Sequence, residues 1–182
     1  MKRAEELGQT EIVDLLNRCW MAHDGMWFLH CFQTFGIEQA NRLNKSAIRS
    51  LAPLEVAWIR KALGEPAQKI ADAPGFKRFF ESAARLVIPE FMGARMAFSA
   101  ENRLQWEFEP SRCFAYRGMK RLGAMEGYEC GVIYRLECWL EALGLSYEVS
   151  PRPVRCRMQE QETCSGEFII RFPPNGVHKQ EA

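Results

Sequence analysis

An excess of charge of either sign is missing from this sequence: 24 lysines and arginines meet 23 aspartates and glutamates, leaving +1. A protein that grips nucleic-acid phosphates or an anionic membrane surface needs a basic face, so no nucleic-acid and no membrane partner is expected. Also absent is any run near the roughly 20 apolar residues of a membrane-spanning helix. Met1 to Gln9 are charged rather than apolar, unlike a secretory leader, and the expectation is a soluble, cytoplasmic protein. The chain has no Cys-x-x-Cys pair, no His-Glu-x-x-His, no phosphate-binding glycine loop and no nucleophile elbow. Those absences remove the usual signatures of dithiol redox, zinc-protease, nucleotide and esterase sites. There is no internal repeat and no low-complexity tract.

What the sequence has is apolar mass and sulfur. Of 182 residues 47% are hydrophobic, with five tryptophans and twelve phenylalanines, enough for one core and for a ligand cavity beside it. Seven cysteines are present, four of them Cys113, Cys130, Cys156 and Cys164. An odd count without a leader reads as free thiols in a reducing compartment, available as ligands, rather than as a disulfide framework.

Residues 1–90 read as helical. Thr10 and Glu11 look like a helix start, and Ile12, Leu15, Leu16, Cys19, Trp20, His23, Trp27 and Cys31 hold helical period up to Gly36. A second helix is expected from Glu38 to Leu51, and a third from Pro53, a favoured first-turn residue, to Leu63. After breaks at Pro66 and Pro74-Gly75, Phe76 to Val87 is helical until Pro89. The period then changes. Met96 and Phe98, then Leu104, Trp106 and Phe108, alternate with small or polar residues around a turn at Glu101-Asn102, which predicts a β-hairpin. Ser111 to Leu122 and Glu126 to Leu143 read as two crossover helices, followed by strands at Leu145–Val149, Val154–Met158 and Phe168–Phe172 and a fraying tail from Pro173. The expected fold is α+β: a helical segment, 1–90, packed on the antiparallel sheet of an α+β ligand-binding unit, 91–174, in one compact body.

Several residues are candidates for chemistry. His23 and Asp24 sit mid-helix beside Gly25 and between Trp20 and Trp27, an odd place for polar groups unless something is held there. His23 suits proton transfer or binding of a carboxylate, and Asp24, about 100° away on the helix, suits an arginine partner; the plain alternative for both is a structural core role. Cys113, preceded by Arg112 in the first turn of a helix, is the best nucleophile candidate because a helix N-terminus and a guanidinium lower a thiol pKa. Its rival role is a small core residue. Cys130 and Cys138 share a helix face with Tyr134, Glu137 and Glu141, where Glu137 suits an acid, base or oxygen ligand. Cys156 and Cys164 flank an apparent hairpin loop, and with Cys130 they form a possible ligand set for a transition metal such as zinc or iron.

The order from Cys113, through Gly127-Tyr128, the helix ending at Leu143-Gly144, the Tyr147 strand, Cys156, and Cys164 before Phe168, resembles the 4-vinyl-reductase (hydrocarbon-binding) domain superfamily. The stretch Trp20-Met21-Ala22-His23-Asp24-Gly25-Met26-Trp27-Phe28, with Phe35-Gly36, Glu38 and Asn44, is similar to an uncharacterised prokaryotic family related to that superfamily. The resemblance implies a cytosolic small-molecule-binding or sensor fold, in a group where some relatives are linked to thiazoline-ring hydrolysis, reductive chemistry or cysteine-bound metal. Seven residues between Cys156 and Cys164 stand where that superfamily has a tight pair of cysteines.

These readings converge on a cavity for a small hydrophobic molecule, lined by Trp20, His23, Asp24, Trp27, Trp106, Cys113, Tyr134, Glu137 and Trp139. One alternative is a cysteine-dependent or metal-assisted hydrolase with Cys113 or Cys130 as nucleophile and His23 or Glu137 as its partner. The other is a structural module that forms a homodimer through an apolar helix face.

Overall fold

The computed structural model describes residues 3–64, 70–99 and 102–173. The expected break at Pro66, the turn residue Glu101 and the tail past Pro173 lie outside the described residues. After a 3-10 turn at Ala4–Glu6, helix α1 runs Gln9–Phe35 and α2 runs Ile37–Ala62. Gly8, rather than Thr10, caps α1, with the Glu11 carboxylate accepting its backbone N–H at 2.8 Å. Gly36 joins the two helices at φ +81°, ψ 171°, a backbone conformation that an L side chain resists.

Pro53 does not begin a third helix; it lies inside α2. A proline there loses one hydrogen bond and crowds the preceding turn, but Ala52 and Val56 on either side are buried, and the chain is tied to another helix both before and after it by Arg49 and Glu55. Tertiary packing overrides the local break. Helix α3, Ala73–Val87, includes Pro74 and Gly75 in its first turn, where Asp72 accepts the Gly75 N–H at 2.7 Å. A proline costs little where no N–H has an intrahelical partner.

The sheet has four antiparallel strands in the order β1-β2-β4-β3: β1 Ala94–Phe98, β2 Arg103–Phe108, β3 Ser146–Ser150 and β4 Cys164–Arg171. Helices α4, Phe114–Arg121, and α5, Gly131–Ala142, cross from β2 to β3, and the short α6, Arg157–Gln161, precedes β4. The α+β plan with an N-terminal helical segment holds, with three corrections. Ser111 does not cap α4; it has φ +62°, and Cys113 is the cap. Helix α5 begins at Gly131 instead of Glu126, because Asn41 of α2 accepts the Glu129 N–H at 3.1 Å and donates to the Gly127 carbonyl at 2.8 Å, holding that segment out of helix. Val154 to Met158 is not a strand. Only Arg155 bridges, to Glu129, and a single turn of helix then buries Met158.

Leu104, Trp106 and Phe108 of β2 and Phe168 and Ile170 of β4 are buried while their neighbours on the other face are not, so the helices cover one face of the sheet. Phe76 of α3 packs on Phe98 and Phe172, with centroids 5.1 and 6.1 Å apart. Above this layer α2 lies on α5, and α1 lies beside α2. Among the described residues no helix is long and apolar enough to cross a membrane.

Trp106 sits directly over Gly166 of β4: a Cβ there would lie 2.4 Å from Trp106 Cζ2 and 2.8 Å from the Ser150 carbonyl oxygen. Neither a fully packed indole nor a backbone carbonyl can yield that space. Gly166→Ala is therefore expected to destabilise the fold by about 2–3 kcal/mol or more, read as a lower urea midpoint in equilibrium unfolding.

Candidate functional site

Between α1, α2, α4, α5 and the edge of β1 and β2 lies a cavity of about 130 Å³, open on one side. Its walls are Trp20, Met21 and Phe28 of α1, Ile48 of α2, Met96 and Phe108 of the sheet, Phe114 and Met119 of α4, and Tyr128, Val132, Leu136 and Trp139 in and before α5. The closest helix approach makes the space: a Cβ on Gly131, which lines the cavity, would stand 3.0 Å from Asn44 Nδ2 and 3.1 Å from Ile48 Cδ1. A Cβ here would push on the ends of two α2 side chains where α5 starts.

The polar groups are few and concentrated. Arg135 donates from Nε to Glu55 Oε2 at 2.9 Å and from Nη2 to Glu55 Oε1, while Trp139 Nε1 donates to the same Glu55 Oε2 at 2.9 Å. The Arg135 guanidinium also lies 4.4 Å above the Trp20 ring, and Trp20 Nε1 donates to Asn17 Oδ1 at 3.1 Å. One carboxylate on α2 thus fixes a guanidinium and an indole of α5, and through the guanidinium the Trp20 indole of α1. Asp24 faces the same cavity from α1 on its open side. Burial by the surrounding protein raises its carboxyl pKa, against the pull of Arg135 and His23. The Tyr128 hydroxyl, 3.4 Å from the Gly131 N–H, is enclosed and held well above the usual phenol range by burial.

Of the residues expected here, Trp20, Asp24 and Trp139 line the cavity and the other six do not. His23 and Trp27 lie on the open side of α1, where Trp27 keeps 63% of its surface exposed. Trp106 is buried in the sheet. Tyr134 and Glu137 belong to a separate network: Arg49 Nε donates to the Tyr134 hydroxyl at 2.9 Å, and the Tyr147 hydroxyl lies 3.1 Å from both Glu137 Oε2 and Glu141 Oε1. With Arg152 3.5 Å from Glu137, these groups satisfy one another. Burial, and then Glu137, hold the Tyr147 hydroxyl well above its ordinary pKa.

Cys113 is a core thiol instead of an activated nucleophile. Burial raises its pKa despite backbone N–H groups of Tyr116 and Ala115, and Arg112 turns away to Glu109, at 2.9 Å, and to the Glu90 carbonyl, at 2.8 Å. Cys113, Cys130, Cys156 and Cys164 come near enough to influence one another's titration, yet burial pushes Cys130 up to about 12 and Cys164 up to about 11. Among the described residues no three histidine, cysteine or acidic side chains form a group able to hold a metal ion. The expected zinc or iron set of Cys130, Cys156 and Cys164 does not fit. Cys156 and Cys164 do not face each other across a hairpin either, since the first caps α6 and the second begins β4.

Residues 4–168 match the profile of DUF6125, described as a family of unknown function. The chain belongs to that family. No curated protein and no solved structure matches it. In this DUF6125 chain the residues that sequence reasoning missed are Arg135, Glu55, Asn44 and Phe28. Two of them left a signal: Arg135 falls on the α5 stripe of Val132, Leu136 and Trp139, and Glu55 falls beside Ala52, Val56 and Ile59 on α2, each a charge on a core-facing stripe.

The buried thiols also make a pH prediction. A thiol whose folded pKa lies above its unfolded value of 9.0 adds stability that is complete below that pH and is lost as pH rises toward the folded pKa. Between about pH 9 and pH 10 Cys130 should cost this DUF6125 protein about 1 kcal/mol. Urea unfolding of Cys130→Ser should show a shallower alkaline decline than the parent chain.

Proposed function

We propose that this protein binds a small, mainly apolar molecule, about the size of one substituted aromatic ring, in the cavity between its helical segment and its sheet. The supporting observation is the cavity itself: about 130 Å³ of space walled by indole, phenyl and thioether groups, with one fixed polar corner. An apolar cavity of about 150 Å³ is large enough to hold benzene. The likeness to hydrocarbon-binding domains of the 4-vinyl-reductase superfamily points the same way, and seven free thiols suit a reducing compartment such as the cytoplasm. The hydrolase alternative is less well supported, because no cysteine and no histidine is among the described residues that line the cavity.

Ethylbenzene tests this reading. At about ten times its dissociation constant a ligand of the native state adds about 1.4 kcal/mol, so the thermal midpoint should rise by about 3–6 °C. Val132→Phe, which fills the cavity from α5, should abolish the shift, and Trp58→Ala, outside it, should not. No shift in the parent chain would count against an apolar site.

A second reading is favoured by a different observation. Helix α1 carries large apolar side chains well outside its core-facing side, since only Asn17, Met21 and Phe28 of its 27 residues are buried while Leu15, Leu16, Trp27 and Phe35 stay exposed, more than one core-facing stripe requires. On α2, Leu43, Ala47, Leu51, Leu54 and Trp58 form an exposed, uncharged stripe at helix-packing intervals. We propose that a second copy covers this face. An uncharged stripe is complementary to itself across a two-fold axis and offers nothing to a charged partner. Two helices of this length present a face about 40 Å by 20 Å, on the order of 800 Å², the share per subunit of a stable interface. Sedimentation velocity should show a dimer that Leu54→Glu dissociates; a parent chain that stays monomeric at high micromolar concentration would refute it.

A further inference from the structure

We infer that the cavity selects ligands that carry an amine or another hydrogen-bond donor, with Asp24 as the group that reads it. This rests on the apolar-ligand reading above and adds the chemistry of the ligand's polar end.

An arginine in an apolar pocket suggests an anion site, but Arg135 is already committed. Its Nε and Nη2 are both given to Glu55, and its plane is pressed against the Trp20 ring. A carboxylate arriving in the cavity meets a guanidinium whose charge Glu55 already balances and whose Nε–Nη2 edge is taken. Asp24 is in the opposite condition. Among the described residues its carboxyl accepts no hydrogen bond and forms no ion pair, although it lines the cavity. It stands at the exposed mouth of the cavity with no donor from the protein, so a ligand whose N–H groups reach that mouth gains a charge-assisted hydrogen bond without displacing a protein partner.

The charges around the corner agree. Asp24 on α1 and Glu55 on α2 face Arg135 on α5, two carboxylates to one guanidinium, with His23 beside Asp24 on the open side of α1. Asn44 on α2 is neutral. An ammonium group balances this set and a second anion unbalances it. The rings of Trp20, Phe28, Tyr128 and Trp139 that wall the cavity also offer faces that attract a cation. The ligand class is therefore a one-ring aromatic or comparable apolar body with a short arm ending in an amine, the body inside and the arm at Asp24.

Three probes of nearly equal size separate the possibilities: 2-phenylethylamine, 3-phenylpropanoate and ethylbenzene, titrated calorimetrically into the full chain at neutral pH. 2-Phenylethylamine should bind at least about tenfold tighter than 3-phenylpropanoate, a difference of about 1.4 kcal/mol. In Asp24→Asn that preference should fall to under about threefold while ethylbenzene binds as before, which also shows that the variant is folded. Equal binding of amine and acid by the parent chain, tighter binding of the acid, or an amine preference that survives Asp24→Asn overturns this inference and leaves the apolar site standing. If none of the three probes binds, the apolar-site reading falls, and this one with it.

Discussion

Glu55 receives three hydrogen bonds, two from Arg135 and one from Trp139, and through them α2 is locked onto α5. The contact is enclosed on both sides, with 12% of the Glu55 side chain and 20% of the Arg135 side chain exposed. Charges this deep are costly to desolvate, and such a pair holds only if its remaining hydrogen-bonding capacity is filled. Here the second lone-pair site of Glu55 goes to the Trp139 indole and the guanidinium plane goes to Trp20. Taking away either partner of such a pair typically costs about 3–5 kcal/mol. The positions of α1, α2 and α5, and hence the walls of the cavity, follow from satisfying this one carboxylate.

The same helix carries the rest of the registration. Asn41 binds the backbone at Gly127 and Glu129, Lys45 pairs with Glu129, and Arg49 reaches Tyr134 and Glu141. With Glu55 these residues form a polar row along α2 beside its apolar line of Ala40, Ala52, Val56 and Ile59. Burial of the apolar line supplies the attraction, and the polar row selects one register among those that burial alone would allow. Gly131 then permits the approach that the row dictates.

How much of this could be read in the sequence divides along the same lines. Short-range signals were sufficient for Gly36 as a stop, for the hairpin strands around Leu104 and Trp106, and for the α+β plan. They failed where a distant partner overrides local preference: at Pro53, held in helix by α5, and at residues 126–130, kept out of helix by Asn41. The site was legible in part for a related reason. Trp20 and Trp27, seven residues apart, lie within about 20° of each other on a helix, so periodicity treats them alike. Trp20 is covered because Arg135 stacks on it, and nothing comparable covers Trp27. Since α1 mixes apolar and polar side chains at most angles around its axis, its pattern could not say which stripe faces the core. For the cysteines the sequence left a core role and a chemical role both open, because spacing carries no information about burial, and burial raises the pKa of Cys130 and Cys164.

Asp24 and Glu55 show how two carboxylates in one corner acquire different parts. Glu55 has three donors, so its charge belongs to the fold. Asp24 has none among the described residues and stands exposed at the cavity mouth, so its charge is not spent on holding the helices together. A carboxylate without a protein donor at the mouth of an apolar cavity is better explained by what it meets from outside than by what it contributes within. The placement of the two follows from the helices that bear them: α2 is pinned to α5 by Arg49 and Glu55, whereas Asp24 sits on the exposed side of α1, which no other element covers among the described residues. An anchored guanidinium beside an unanchored carboxylate gives the corner its sign, and the aromatic walls give it its size; those two properties together decide which molecules fit.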